Sequence, residues 1–183
     1  ILTRKYPSRD AQVQVINSTS TSLDNYMYNY SEIDQIEIYS DNPYMMEYKQ
    51  YHPVTQAIAE EDWYQKAVEQ SSVFWVEMVS YDKYNNEYWN LCLVRKIPLV
   101  NSDYHAVLVI RVSDNYLNTR VSSQEYQMCA SVDEGRIFYA TSKDDYGQQQ
   151  VVDIDYDENY FRYAGSLKLH NKTCFVDVST LHL

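Results

Sequence analysis

Four histidines, three cysteines and three acidic clusters carry most of the chemistry open to this 183-residue chain, and their spacing assembles no catalyst. His52, His105, His170 and His182 are scattered. No HxxxH or HExxH pair sets two imidazoles on one helix face for a metal. Cys92, Cys129 and Cys174 are an odd number, which excludes a fully paired intramolecular framework, and no two stand at metal-ligand spacing. Cys92 and Cys174 lie in apolar stretches and read as buried, inert thiols. Cys129, within Met-Cys-Ala, reads as packing rather than as half of a Cys–His nucleophile pair. The acids Glu60-Glu61-Asp62 and Asp144-Asp145 read as solvated charge. The run Asp153-Ile154-Asp155-Tyr156-Asp157-Glu158 lacks the Gly and Glu that complete a calcium loop, and also reads as solvated. Three glycines leave no GxGxxG, GxxxxGK[ST] or GxSxG motif. The sequence predicts no catalytic residue, no metal and no cofactor.

Binding chemistry is better represented. Residues 61–76 read as an acidic helix start followed by Trp63-Tyr64, a small Ala67, a polar stop and then Trp75 in an apolar run. An aromatic helix leaning on a sheet can wall a small-molecule pocket. Trp63, Tyr64 and Trp75 are the predicted flat walls, and Tyr81 or Arg95 the predicted polar anchor. The pocket is expected between the strands at 73–97 and the Tyr- and Met-rich segment 44–64, whose side chains suit an adaptable cover. Arg95 and Arg111 both stand on otherwise apolar strands. Each either sends its head to water at a strand end or orients an anionic or hydroxylated ligand.

The elements that must position these residues follow from periodicity. Val13, Ile16, Ser20, Leu23 and Met27 recur at spacings of 3 and 4, so residues 8–30 read as one helix with a narrow stripe toward protein. Ser20 falls on that stripe, which predicts a close, small contact there. Residues 33–40 read as a strand ended by Asp41-Asn42-Pro43. Asp62 is the expected cap of a helix over 63–70. Residues 73–81, 88–97 and 104–112 read as an antiparallel meander, with the first strand buried on both faces. A short helix over Tyr116 to Val121 follows. Beyond it, 126–132 and 136–141 flank the hairpin signal Asp133-Glu134-Gly135, and 161–170 and 173–179 are two final strands.

Composition narrows the partners. Apolar residues make up 45% and the net charge is −11. The chain can bury a core, and it lacks the clustered Lys and Arg that phosphate contacts or anionic lipid require. Twenty tyrosines suit half-buried sheets and recognition surfaces. No apolar run reaches the roughly 18–20 residues of a membrane span. The opening Ile-Leu-Thr-Arg-Lys-Tyr reads as the start of a fragment of a longer protein.

The order of elements, with Ile36-Glu37-Ile38-Tyr39-Ser40, then Glu61-Asp62-Trp63-Tyr64-Gln65-Lys66-Ala67, Val109-Ile110-Arg111-Val112-Ser113, Asn115-Tyr116-Leu117 and finally Asp133 to Ser142 with Gly147, resembles the extracytoplasmic double Cache (PDC-like, PAS-related) domain of bacterial sensor histidine kinases, particularly the YesM type. The resemblance covers nearly the whole chain, and Trp-Tyr-x-x-Ala is its most specific motif. It implies an α+β, PAS-like fold of antiparallel sheets. Residues 1–30 would be the N-terminal helical spine, 31–113 a larger membrane-distal module, 114–122 a linker helix and 123–183 a smaller membrane-proximal module. It further implies ligand sensing outside the membrane, anchors in flanking segments, a cytoplasmic kinase and a homodimer in the full-length protein. Amino-acid-binding relatives carry an Arg two residues before the Trp. Glu61 stands there in this chain, which favours a neutral or hydroxylated ligand. Two other readings are a ligand-free module whose Tyr-rich face binds protein or glycan, and a carboxylate-dependent hydrolase.

Overall fold

The computed structural model describes residues 1–81, 83–122, 129–131, 137–140, 162–169 and 172–179. The long helix, α1 (Arg9–Asn29), begins where Ser8 accepts a hydrogen bond from the Ala11 amide at 3.2 Å, an N-cap that satisfies one orphan donor of the first turn. It buries Gln12, Ile16 and Ser20, with Val13, Leu23 and Met27 half-buried along the same stripe. Ser20 is fully buried, so the hydroxyl-bearing turn is the point of closest approach.

Five strands form one sheet: β1 (Ile33–Ser40), β2 (Tyr51–Pro53), β3 (Phe74–Tyr81), β4 (Glu87–Lys96) and β5 (Ala106–Val112), in the order β2-β1-β5-β4-β3. All neighbours are antiparallel except β1 and β2. The meander is thus present, but β3 is an edge strand. Its residues are half-buried or exposed, which corrects the expectation of burial on both faces. With so few glycines, the left-handed turn positions fall to Lys49, Asn85 and Asn101, at φ of 54°, 63° and 54°. Asn tolerates this region well; Lys49 does so inside a tight turn closed by reciprocal backbone bonds between Tyr48 and Tyr51.

Short helices α2 (Gln56–Ala59) and α3 (Asp62–Glu69) lead into the meander. The N-cap of α3 is Glu61 rather than Asp62, and its side chain makes no capping bond. The other end is better held. Lys96 Nζ donates to the Val68 carbonyl at 2.6 Å, placing a cation at the negative end of the helix. A last helix, α4 (Asp114–Ser122), starts two residues earlier than expected because the Ser113 hydroxyl accepts from the Tyr116 amide.

Pairing register sorts the side chains into two faces. One face carries Ile38, Tyr51 and Leu108, and packs with Ile16 and Leu23 of α1 and with Met45, Met46 and Tyr48. The other carries Tyr39, Val76, Cys92, Val94, Val107 and Val109, and packs with Trp63, Tyr64, Ala67 and Val68 of α3. Segment 44–51, expected beside Trp63, is therefore fixed to α1 on the opposite face. It is stitched there by Gln12 Nε2 to the Tyr44 carbonyl (2.9 Å), Tyr48 Oη to Asn17 (3.3 Å) and Tyr51 Oη to Thr19 (2.9 Å).

The remaining described strands form two antiparallel pairs, β6 (Cys129–Ser131) with β7 (Ile137–Ala140) and β8 (Arg162–Leu169) with β9 (Lys172–Ser179). The Asp133-Glu134-Gly135 turn, the acidic runs at 144–145 and 153–158, His170 and His182 lie outside the described residues. The architecture is mixed α+β with an N-terminal helix. Among the described residues no helix is long and apolar enough to cross a membrane.

Candidate ligand-binding face

The five residues that the sequence marks for a pocket do not meet. Trp63 and Tyr64 stand on α3, against one face of the sheet. Trp75 pairs with Leu93 on the opposite parity of β3, because Phe74, Val76 and Met78 take the α3 side. Tyr81 shares the parity of Trp75 and is 61% exposed at the strand end. Arg95, paired with Leu108, lies on that same far face and is exposed. The sheet thus stands between the two tryptophans.

What the structure does assemble is a ribbon of four rings on the α3 side. His52 tilts against Tyr39 with centroids 5.2 Å apart, Tyr39 meets the edge of Trp63 at 5.4 Å, and Trp63 meets Tyr64 at 5.7 Å. These spacings lie within the range of favourable edge-to-face contact. Backbone pairing dictates the first step, since Tyr39 and His52 are direct partners on β1 and β2. The helix dictates the last, since Ala67 lets α3 settle onto Val94, Val107 and Val109 and brings its first turn down onto Tyr39.

Polar groups continue along the same face from Tyr39. Glu37 accepts from Gln35 Nε2 at 2.9 Å and from Tyr39 Oη at 3.1 Å, and all three share one face of β1. Arg111 is the direct partner of Gln35 and of Cys92, two rows along β1 from the Tyr39–His52 pair and two strands across from β2, about 16 Å from His52 at strand spacing. Three of these side chains hold a buried polar atom without a hydrogen-bond partner among the described residues: His52 Nε2, Tyr64 Oη and Arg111 Nε. Buried polar atoms are ordinarily paired, and leaving one unpaired costs about 1–3 kcal/mol. His52 and Tyr64 belong to the ring ribbon, and Arg111 lies further along the same face of the sheet.

Tyr64, Tyr39 and Cys92 are held in their neutral forms. Burial pushes the Tyr64 phenol up to about 12, with the negative charge of Asp41 adding to it. Burial and then Glu37 push Tyr39 upward. The Cys92 thiol, 1% exposed, is pushed up to about 12 by burial, with Arg111 pulling the other way and Glu37 adding. A thiol held protonated this firmly is a packing group and not a nucleophile, as the sequence predicts for Cys92. Among the described residues no three of His, Cys, Asp and Glu gather to hold a metal.

A concavity of about 390 Å³ lies on the α1 side, between the N-terminal segment and the sheet, lined by Ile1, Leu2, Val15 and Ile38 with the polar Arg4, Tyr6, Thr19 and Tyr51. Two of its polar side chains are paired with each other, the Tyr51 hydroxyl donating to Thr19. Sequence reasoning did not mark His52, Tyr39, Glu37 or Gln35 as site residues. The available signal was the polar parity of β1, Gln35-x-Glu37-x-Tyr39, which no solvated face explains once β1 is central. No family model, curated protein or solved structure matches the chain.

Proposed function

We propose that this chain is the extracytoplasmic ligand-sensing domain of a membrane-bound sensor histidine kinase, with a PAS-like, double Cache architecture. It would bind a neutral or hydroxylated small molecule on the α3 side of its sheet. The observation that carries the reading is the continuous His52–Tyr39–Trp63–Tyr64 ribbon with unpartnered polar atoms at its margins. The α+β sheet with a long helix on its other face is compatible with the PAS-like fold that the resemblance implies. In this reading residues 31–113 are the distal module and 123–183 the proximal one, segments flanking the domain anchor it in the membrane, and two copies signal together. The domain senses and does not catalyse.

Signalling would be a population shift between two packings. The alternation of β2 supplies a route: His52 faces the ribbon, while adjacent Tyr51 faces α1 and holds Thr19 through its hydroxyl. A ligand that repositions His52 biases the seat of Tyr51, and with it the helix.

A thermal-shift screen of sugars, organic acids and amino acids tests the reading. At least one compound class is expected to raise the melting temperature by about 2 °C or more, since a ligand at saturating concentration stabilises by several kcal/mol. Trp63→Ala should remove the shift and Trp75→Ala should retain it. The absence of any shift, or loss in Trp75→Ala alone, sinks the proposal.

One observation favours a second reading as an interaction module. Tyr26, Tyr28 and Tyr30 are exposed at the end of α1, Tyr28 at 89%, and Tyr26 stacks on Tyr30 at 6.1 Å. Exposed tyrosines of this kind suit a protein or glycan surface. That reading gains if the screen is silent and glycan or protein capture depends on Tyr28.

A further inference from the structure

On the face of the sheet opposite the ring ribbon, and independently of the sensing reading, we infer a second binding site. The concavity beneath the N-terminal segment takes a small amphipathic carboxylate, with its apolar tail against β1 and β2 and its head at Arg4. A volume of about 390 Å³ falls within the roughly 300–1,000 Å³ of small-molecule sites. Ile38 and Tyr51, direct partners on β1 and β2 and both buried, form the floor. Val15 and Thr19, neighbours one turn apart on α1, line one side. The N-terminal segment lines the other, and it is already held in place. Asn42 Nδ2, on a side chain buried in the core, donates to the Leu2 carbonyl at 3.2 Å and to the Arg4 carbonyl at 3.4 Å. Lys5 Nζ lies 4.9 Å from the centre of the Tyr44 ring. The cavity is therefore formed before a ligand arrives, which spares the cost of ordering a loop on binding.

The polar atoms of the lining decide what fits. Tyr51 Oη donates to Thr19 Oγ1 at 2.9 Å, and Thr19 Oγ1 donates to the Ile16 carbonyl of its own helix at 3.0 Å. Both hydroxyls thus spend their protons within the protein. With Leu2, Val15 and Ile38 around them, floor and helix side suit a hydrocarbon body. The donors left over belong to the N-terminal segment. Arg4 is the one charged side chain of the lining, is exposed at the rim, and makes no ion pair or side-chain hydrogen bond among the described residues. The half-buried Tyr6 hydroxyl has no partner among them either. A guanidinium fork with a phenol beside it calls for an acceptor that carries negative charge, and a carboxylate matches the fork. An ammonium would be repelled by Arg4. A polyol would press hydroxyls against the hydrocarbon floor without partners.

The test measures binding of octanoate by calorimetry and thermal shift, beside methyl octanoate and butyrate. The chain carries an acetylated N-terminus, so that Arg4 is the sole cation of the lining. Octanoate should raise the melting temperature by about 2 °C or more. The ester keeps the tail and loses the charge, butyrate keeps the charge and loses most of the tail, and each should bind about tenfold or more weaker. Arg4→Gln should weaken octanoate by a similar factor and leave the ester unchanged. Val15→Trp, at an exposed helix position, should fill the cavity and abolish binding. Trp63→Ala, across the sheet, should leave octanoate binding intact. No octanoate binding at about 1 mM, equal binding of octanoate and its ester, or binding indifferent to Arg4→Gln or to Val15→Trp overturns the inference. Loss in Trp63→Ala with retention in Val15→Trp puts octanoate on the ring ribbon and overturns it too. The sensing proposal is decided by its own screen and by Trp63→Ala, so either proposal can fail alone. The comparison of octanoate with its ester uses the unsubstituted chain, so it decides even where a variant folds poorly.

Discussion

The two faces of the five-stranded sheet each bury an apolar cluster, and they are finished differently. On the α1 side the helix is N-capped by Ser8, lies along the sheet through Ile16 and Ser20, and has its polar neighbours tied to it by hydrogen bonds from Tyr48 and Tyr51. Ser20 Oγ and Gln50 Oε1 are buried without a hydrogen-bond partner among the described residues. On the α3 side the helix is short, begins at Glu61 without a side-chain cap, and faces a ring ribbon whose polar atoms await partners. The difference teaches that one face is specified by steric closeness and the other by unsatisfied polarity. The first suits a rigid spine, and the second is where the proposed ligand would bind.

The sharpest way to break this comparison is to cut into the spine. Ile16 is fully buried, so Ile16→Ala should cost about 2–5 kcal/mol in urea unfolding, the range for emptying a packed aliphatic site. A cost below about 1 kcal/mol would mean that α1 yields to fill the space, and the claim of a rigid spine would fall.

A second measurement addresses the polarity of the α3 face through pH. Cys92 rises from 9.0 to about 12 on folding, and Tyr64 from 10.0 to about 12. Above pH 9 the unfolded chain releases the thiol proton while the folded chain keeps it, so the unfolded state holds fewer protons and stability falls as pH rises. The stabilisation is whole below pH 9 and is lost as pH climbs toward about 12. Cys92→Ala should flatten the decline at its onset, and Tyr64→Phe should flatten it from pH 10 upward. Parallel slopes in wild type and both variants would contradict the burial assigned to this face. Iodoacetamide should also leave folded Cys92 unmodified near neutral pH.

The smallest expected effect sharpens the contrast in capping. Glu61→Ser supplies the missing acceptor at the start of α3 and should add about 0.5–1 kcal/mol. No gain would show that the first turn of α3 finds its partners elsewhere, and that the two helices are more alike at their ends than the capping pattern indicates.

Much of the fold was legible because its signals are local. The stripe from Val13 to Met27 states a helix without reference to anything else, and the α1 bounds came within a residue of expectation. Alternation and turn residues likewise set β1 at residues 33–40 and the meander that follows. The edge position of β3 was not legible. An apolar run of eight residues looks the same whether a neighbouring strand covers one side or two. The candidate site was legible only in part. Trp63 and Tyr64 could be marked because an aromatic pair opening an amphipathic helix must lean on something.

By itself the sequence determined the long helix α1 and which side of it is buried, and the strands β1, β3, β4 and β5. Those properties depend on neighbours within a few positions, where geometry is fixed by 3.6-residue and 2-residue repeats. Only the tertiary structure decided which face each strand presents to which helix. That choice parts Trp63 from Trp75 across the sheet, sends segment 44–51 to α1, and brings His52 from a three-residue strand beside Tyr39. The physical reason is that strand register is a long-range choice. One residue of slip exchanges every side chain between the faces, and only the packing of both faces at once selects among the alternatives.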